Sequence, residues 1–143
     1  MPRVLIVDDH AIIRRGVQSI LSTYGEWDIC GEADNGQDAI RLAGELQPEV
    51  VIMDVSMPGL NGLEVTRIMH DVLPETKVLL LTLHSSSEFV RSAFHAGARA
   101  YVLKSDAENE LVRALNVVVG HGTYVSPAID SRAAKNAIVG SEN

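Results

Sequence analysis

Four apolar runs in this chain end in polar residues: VLIV in Asp8 and Asp9, VVIM in Asp54, KVLLL in Thr82, and AYVL in Lys104. Three carboxylates drawn into one pocket cannot all stay ionised without a cation. An all-oxygen site with few protein ligands suits Mg²⁺, which keeps several waters and readily shares a phosphate. With its charge balanced in this way, Asp54 can attack phosphorus as a nucleophile. Lys104 can set a positive charge beside the transferred oxygens, and Thr82 can donate its hydroxyl to one of them. Phosphoryl transfer needs mostly such positioning and neutralisation. Taken singly, each residue has a plainer role, since an aspartate after a strand often caps a helix and an isolated lysine is often solvated. The joint pattern at four separate strand ends favours the chemistry.

The elements that must bring these residues together are legible in the hydrophobic pattern. Apolar runs of strand length are expected at Arg3–Asp8, Trp27–Ala33, Val50–Asp54, Lys77–Thr82 and Ala100–Leu103, and they alternate with five segments of helical period. Ile13, Val17, Ile20 and Leu21 form one helical stripe, and Leu111, Ala114, Leu115 and Val118 form another. Asn35 with Asp38, Asn61 with Glu64, Ser85 with Glu88, and Ser105 with Glu108 resemble capping boxes at helix starts. Pro48 and Pro74 mark the approaches to the third and fourth strands. The alternation predicts an α/β fold, a doubly wound five-stranded parallel sheet with helices on both faces. Functional groups in such sheets gather at the carboxyl ends of the strands. In the order 2-1-3-4-5, the first and third strands are neighbours, and Asp8, Asp9 and Asp54 converge.

The chain has 143 residues, 46% of them hydrophobic and 22% charged, which suits one globular domain. No apolar run approaches the ~20 residues needed to cross a bilayer, so a soluble protein with no membrane partner is expected. A net charge of −7 disfavours direct nucleic-acid binding. Cys30 is the one cysteine and cannot form an internal disulfide; with no export signal visible, a cytoplasmic location is expected. Cys30 itself reads as a small buried hydrophobe. His10 either caps the first helix or sits at the pocket rim, and no His or Cys spacing suggests zinc.

The motifs IVDDH, VIMDVSMPGLNG, LLLTLH and AYVLKS make residues 3–121 resemble the CheY-like receiver domain of bacterial two-component response regulators. The wording from Leu81 to Leu115 and the following GTYVSP resemble the NarL/FixJ (LuxR-type) subfamily. The resemblance implies a flavodoxin-like fold with strand order 2-1-3-4-5, and a phosphoryl group received on Asp54 from a sensor histidine kinase. It implies Mg²⁺ held by Asp8, Asp9, Asp54 and the backbone carbonyl of Ser56, with Thr82 and Lys104 contacting the phosphoryl group. Tyr101 stands where the family carries a switch aromatic, which would turn inward as Thr82 moves toward the phosphoryl oxygen. Ser56 and His84, two positions after the acceptor and the threonine, would tune dephosphorylation.

Members of the subfamily usually continue into a helix-turn-helix domain. Residues 1–121 are therefore expected to form the receiver, and residues 122–143 a linker with a short helix from about Ala128 to Val139. DNA would be reached only through an output domain outside this sequence, and the face beside Tyr101 would either pair two receivers or release that domain. A stand-alone receiver acting through protein contacts is the alternative. Ser105 departs from the proline, with its cis bond, that commonly follows the lysine; a cis bond before a non-proline residue costs about 2.5–4 kcal/mol. Leu83 is bulkier than the family's usual residue and would narrow the pocket. A haloacid dehalogenase-type phosphohydrolase would need an acid where Ser56 stands, and a flavodoxin would need a phosphate loop where IVDDH stands.

Overall fold

The computed structural model describes residues 1–129. The strands are β1 (Arg3–Val7), β2 (Asp28–Ala33), β3 (Val50–Met53), β4 (Lys77–Thr82), β5 (Ala100–Leu103) and β6 (Tyr124–Val125). Between and after them lie α1 (Ala11–Thr23), α2 (Gly36–Leu46), α3 (Gly62–Val72), α4 (Ser87–Ala96) and α5 (Ala107–Val119). All strand pairings are parallel, in the order β2-β1-β3-β4-β5-β6.

The period of two along each strand divides the core into two layers. Val4, Ile6, Val50, Ile52, Leu79, Leu81, Ala100 and Val102 face one way, onto Val17 and Leu21 of α1 and the whole expected stripe of α5. Leu5, Val7, Val51, Met53, Val78, Leu80, Tyr101 and Leu103 face the other way, onto α2, α3 and α4. Both faces are covered, which is why VVIM in β3 shows no polar alternation.

The expected architecture holds with corrections at its margins. The sheet has six strands rather than five, because the GTYVSP segment returns beside β5 and pairs Tyr124 with Ala100 and Val125 with Tyr101. Asp8 and Asp54 lie just beyond their strands, where their side chains leave the ladder. Asn35 and Asn61 cap α2 and α3 as expected, each accepting from the backbone of the predicted acid. The cap of α4 is Ser86 rather than Ser85, and it accepts from Phe89 N. Ser105 caps nothing: a 3₁₀ turn over Lys104–Asp106 runs directly into α5, and Ala107 N bonds back to Lys104 O. Cys30 is half-buried on β2 rather than fully buried. The short helix expected to Val139 lies outside the described residues, apart from its first two positions. Ile129 packs into the layer that holds Tyr101.

Candidate functional site

The carboxyl ends of β1, β3, β4 and β5 position the expected residues on one edge of the sheet. Asp8 N donates to Ala33 O at 3.1 Å, and Asp54 N donates to Val7 O at 3.1 Å, so the register of β2, β1 and β3 places the two aspartates side by side. Beneath Asp54 lies Gly62, at the start of α3. A Cβ there would stand 2.3 Å from the Asp54 carbonyl oxygen and 2.7 Å from Val55 Cα, so only glycine lets the turn close.

Lys104 joins the two aspartates. Its Nζ lies 3.0 Å from Asp8 Oδ2 and 3.1 Å from Asp54 Oδ2. The side chains of Asp8 and Asp54 are only 4% and 5% exposed, and that of Lys104 is 12% exposed. Burial pulls the Lys104 pKa down, but hydrogen bonds and charge from Asp8 and Asp54 outweigh it and hold the group above its usual range. All peptide bonds among the described residues are trans, including that between Lys104 and Ser105.

Asp54 Oδ1 accepts from Ser56 N at 3.3 Å. The Ser56 hydroxyl reaches across to His84 Nε2 at 3.0 Å, and the His84 ring stacks on Phe89 at 4.2 Å with an 11° tilt. Thr82 is fully buried, and its hydroxyl oxygen accepts from His84 N at 3.2 Å. Tyr101, expected to turn inward on switching, is already inward here: it is fully buried and donates to His84 O at 2.7 Å. Burial, and then the charge of Asp54, push the Tyr101 hydroxyl pKa up. Leu83 is 77% exposed, so its bulk points into solvent, where it lines a shallow apolar groove with Ile12 and Ile13 beside Lys104.

The structure settles His10, expected either as a cap or at the pocket rim, and brings in Arg14 and Phe89, which the sequence pattern did not single out. His10 occupies the N-cap position of α1 without making a side-chain cap bond. Its Nδ1 instead lies 3.2 Å from Asp8 Oδ1 and 3.0 Å from Asp9 Oδ1. Arg14 Nη1 donates to the Asp8 carbonyl at 2.6 Å while its Nε pairs with Glu32. His10 was visible as the neighbour of the acidic pair. Phe89 left no sequence signal, because its role depends on how α4 docks.

Asp8, Asp9 and His10 offer ligand atoms that all lie within 4.8 Å of one another, whereas Asp54 stands outside this group, held by Lys104. Asp9 Oδ1 is buried and lacks an aligned hydrogen-bond donor, although His10 Nδ1 lies within ion-pair distance. An unpartnered anionic oxygen beside a second carboxylate suits a hard divalent cation. The residues present therefore fit Mg²⁺.

Residues 4–116 match the response regulator receiver domain family. The chain is similar to the response regulator GacA of Pseudomonas aeruginosa, with 39% identity over 94% of this chain and 63% of that protein. It is similar to the transcriptional regulatory protein MctR of Rhizobium johnstonii, with 33% identity over 89% of this chain and 59% of that one. The chain thus spans less than two-thirds of the length of these relatives. Among solved structures, a LuxR-family two-component response regulator from Aurantimonas sp. SI85-9A1 superposes with a TM-score of 0.87 and 32% identity, over 99% of this chain and 98% of that one. No described helix is long and apolar enough to cross a membrane.

Proposed function

The chain belongs to the response regulator receiver family, on its NarL/FixJ (LuxR-type) branch, and from that premise we propose that Asp54 accepts a phosphoryl group from a sensor histidine kinase. The observation that carries this reading is the buried Lys104 ammonium shared between Asp8 and Asp54. It pins Asp54 Oδ2 and leaves Oδ1, which accepts only the 3.3 Å bond from Ser56 N, as the freer oxygen for attack. The Oδ1 electron pair forms the new P–O bond, the P–N bond to the donor histidine breaks, and the departing imidazole takes up a proton. Lys104 and Thr82 then face the transferred oxygens. Mg²⁺, held by Asp8 and Asp9 with Asp54 and the Ser56 carbonyl completing the protein's share, would neutralise charge on the incoming group.

The switch runs through His84. Thr82 and Tyr101 bond to the amide and carbonyl of that one residue, so a shift of Thr82 toward the phosphoryl group disturbs the tyrosine's anchor through two hydrogen bonds joined by the His84 backbone. Tyr101 thereby alters the face formed by α4, β5 and α5, which pairs two receivers or releases an output domain. The receiver runs past the expected boundary at 121, since Tyr124 and Val125 add a strand to its sheet and Ile129 packs into its core, and the residues that follow act as the connection onward. In a longer protein, a helix-turn-helix domain following them would bind DNA and control transcription in the cytoplasm.

The Ser56–His84 bridge lies beside Asp54, where hydrolytic water must approach, and it tunes the lifetime of the phosphorylated state. A Ser56→Ala, His84→Ala double variant should show an altered autodephosphorylation rate; an unchanged rate would refute this role. For the acceptor itself, incubation with acetyl phosphate and Mg²⁺ should add one phosphoryl group by intact mass. No added mass, or equal labelling of Asp54→Ala, would overturn the assignment.

A further inference from the structure

Resting on the reading that Lys104 steadies a phosphoryl group on Asp54, we propose that Ser126 is a positioning residue for the transfer. It fixes the end of β5 from which Lys104 projects, and it thereby ties the chain after α5 to the chemistry at Asp54. Ser126 lies outside residues 4–116, the stretch that matches the family.

Two hydrogen bonds join Ser126 to β5. Its N donates to Tyr101 O at 2.9 Å, and its hydroxyl oxygen accepts from Leu103 N at 2.9 Å. In a regular parallel ladder Leu103 N would donate to the Ser126 carbonyl. That carbonyl instead accepts from Ile129 N at 3.0 Å. The hydroxyl therefore continues the ladder where the backbone leaves it, and an alanine there would strand a buried donor.

Leu103 directly precedes Lys104, whose carbonyl is held on the other side by Ala107 N. With both flanks fixed, the ammonium is delivered to Asp8 and Asp54 at 3.0 Å and 3.1 Å. Without β6, β5 would be the open edge of the sheet, with Leu103 N unpaired. The strap is secured after Ser126 by Ile129, which is buried in the layer of Tyr101, and before it by Tyr124, whose hydroxyl bonds to Glu110 of α5. Lifting the strap frees Leu103 N and slackens Lys104. A phosphoryl group that engages Lys104 opposes the lifting in turn, because linkage between two sites is reciprocal.

The test compares wild type and Ser126→Ala as the intact chain. With acetyl phosphate at saturating Mg²⁺, Ser126→Ala should label Asp54 about tenfold more slowly, less than the roughly hundredfold that a misplacement of about 1 Å costs. Mg²⁺ affinity, measured separately, should stay equal or rise, because a slackened Lys104 competes less for Asp8. A general loosening of the fold would lower both quantities together, and that result would overturn the positioning role. An unchanged labelling rate would overturn it as well. The wild type supplies an arm that needs no variant: beryllofluoride with Mg²⁺, a mimic of the phosphoryl group, should slow hydrogen exchange at the Leu103 and Ser126 amides. Unaltered or faster exchange there would sink the linkage and leave the acceptor assignment standing. A wild type that takes neither a phosphoryl group nor beryllofluoride would refute that assignment and this inference with it.

Discussion

Replacing Lys104 by methionine keeps most of the stem volume and deletes the charge between two buried carboxylates. Asp8 Oδ2 and Asp54 Oδ2 both lie close to Nζ, at 3.0 Å and 3.1 Å. The two oxygens are therefore within about 6 Å of each other, where like charges at an effective dielectric of 20 repel by about 3 kcal/mol. Without the ammonium this repulsion is unopposed, and the carboxylates also lose charge-assisted hydrogen bonds. A loss of about 3 kcal/mol in unfolding free energy is expected at neutral pH in chelator, at the lower end for breaking a buried pair because Lys104 retains some exposure. In an Asp54→Asn background only one carboxylate remains, and the same substitution should cost about 1–2 kcal/mol less. Adding Mg²⁺ should restore more stability to Lys104→Met than to the wild type, since the cation replaces the missing charge. Urea denaturation of the four proteins, with and without Mg²⁺, measures all three quantities. A loss below about 1 kcal/mol, or the same loss in both backgrounds, would refute the account of Lys104 as the neutralising group.

Gly62→Ala should destabilise by about 1–3 kcal/mol, as overpacking does, and slow Asp54 labelling by acetyl phosphate, because the new methyl collides with the backbone of Asp54 and Val55. Ser126→Ala removes the hydroxyl that accepts from the buried Leu103 N at 2.9 Å, so a cost of about 1–3 kcal/mol and faster amide exchange at Leu103 are expected. The pKa of Lys104 is raised on folding, so its contribution is full below its ordinary value of 10.5 and is lost as pH rises through the folded-state value. The Tyr124 pKa, pushed up to about 12 by burial and then by its hydrogen bond to Glu110, carries the same sign. Alkaline denaturation of the wild type should therefore be steeper than that of Lys104→Met, and the difference between the two curves isolates the lysine.

The two-layer core was open to reading because strands buried on both faces leave continuous apolar runs, and the polar residue ending each run marks the carboxyl end of its strand. Asp8, Asp9, Asp54, Thr82 and Lys104 could be selected on that ground alone, and Asn35 and Asn61 could be recognised as caps from local spacing. Ser85, Ser86 and Ser87 offered equivalent local chemistry, and only the docking of α4 selected Ser86 as the cap. The pairing of β6 with β5 depends on how the chain returns after α5, which two residues of β propensity could not specify. The placement of Lys104 between Asp8 and Asp54, the bond from Ser56 to His84, and the approach of His10 to both acids depend on distances across separate loops. A hydrophobic period records which face of an element is buried. The distance from one strand end to the next is set by sheet register and helix packing, and the tertiary structure alone decided it.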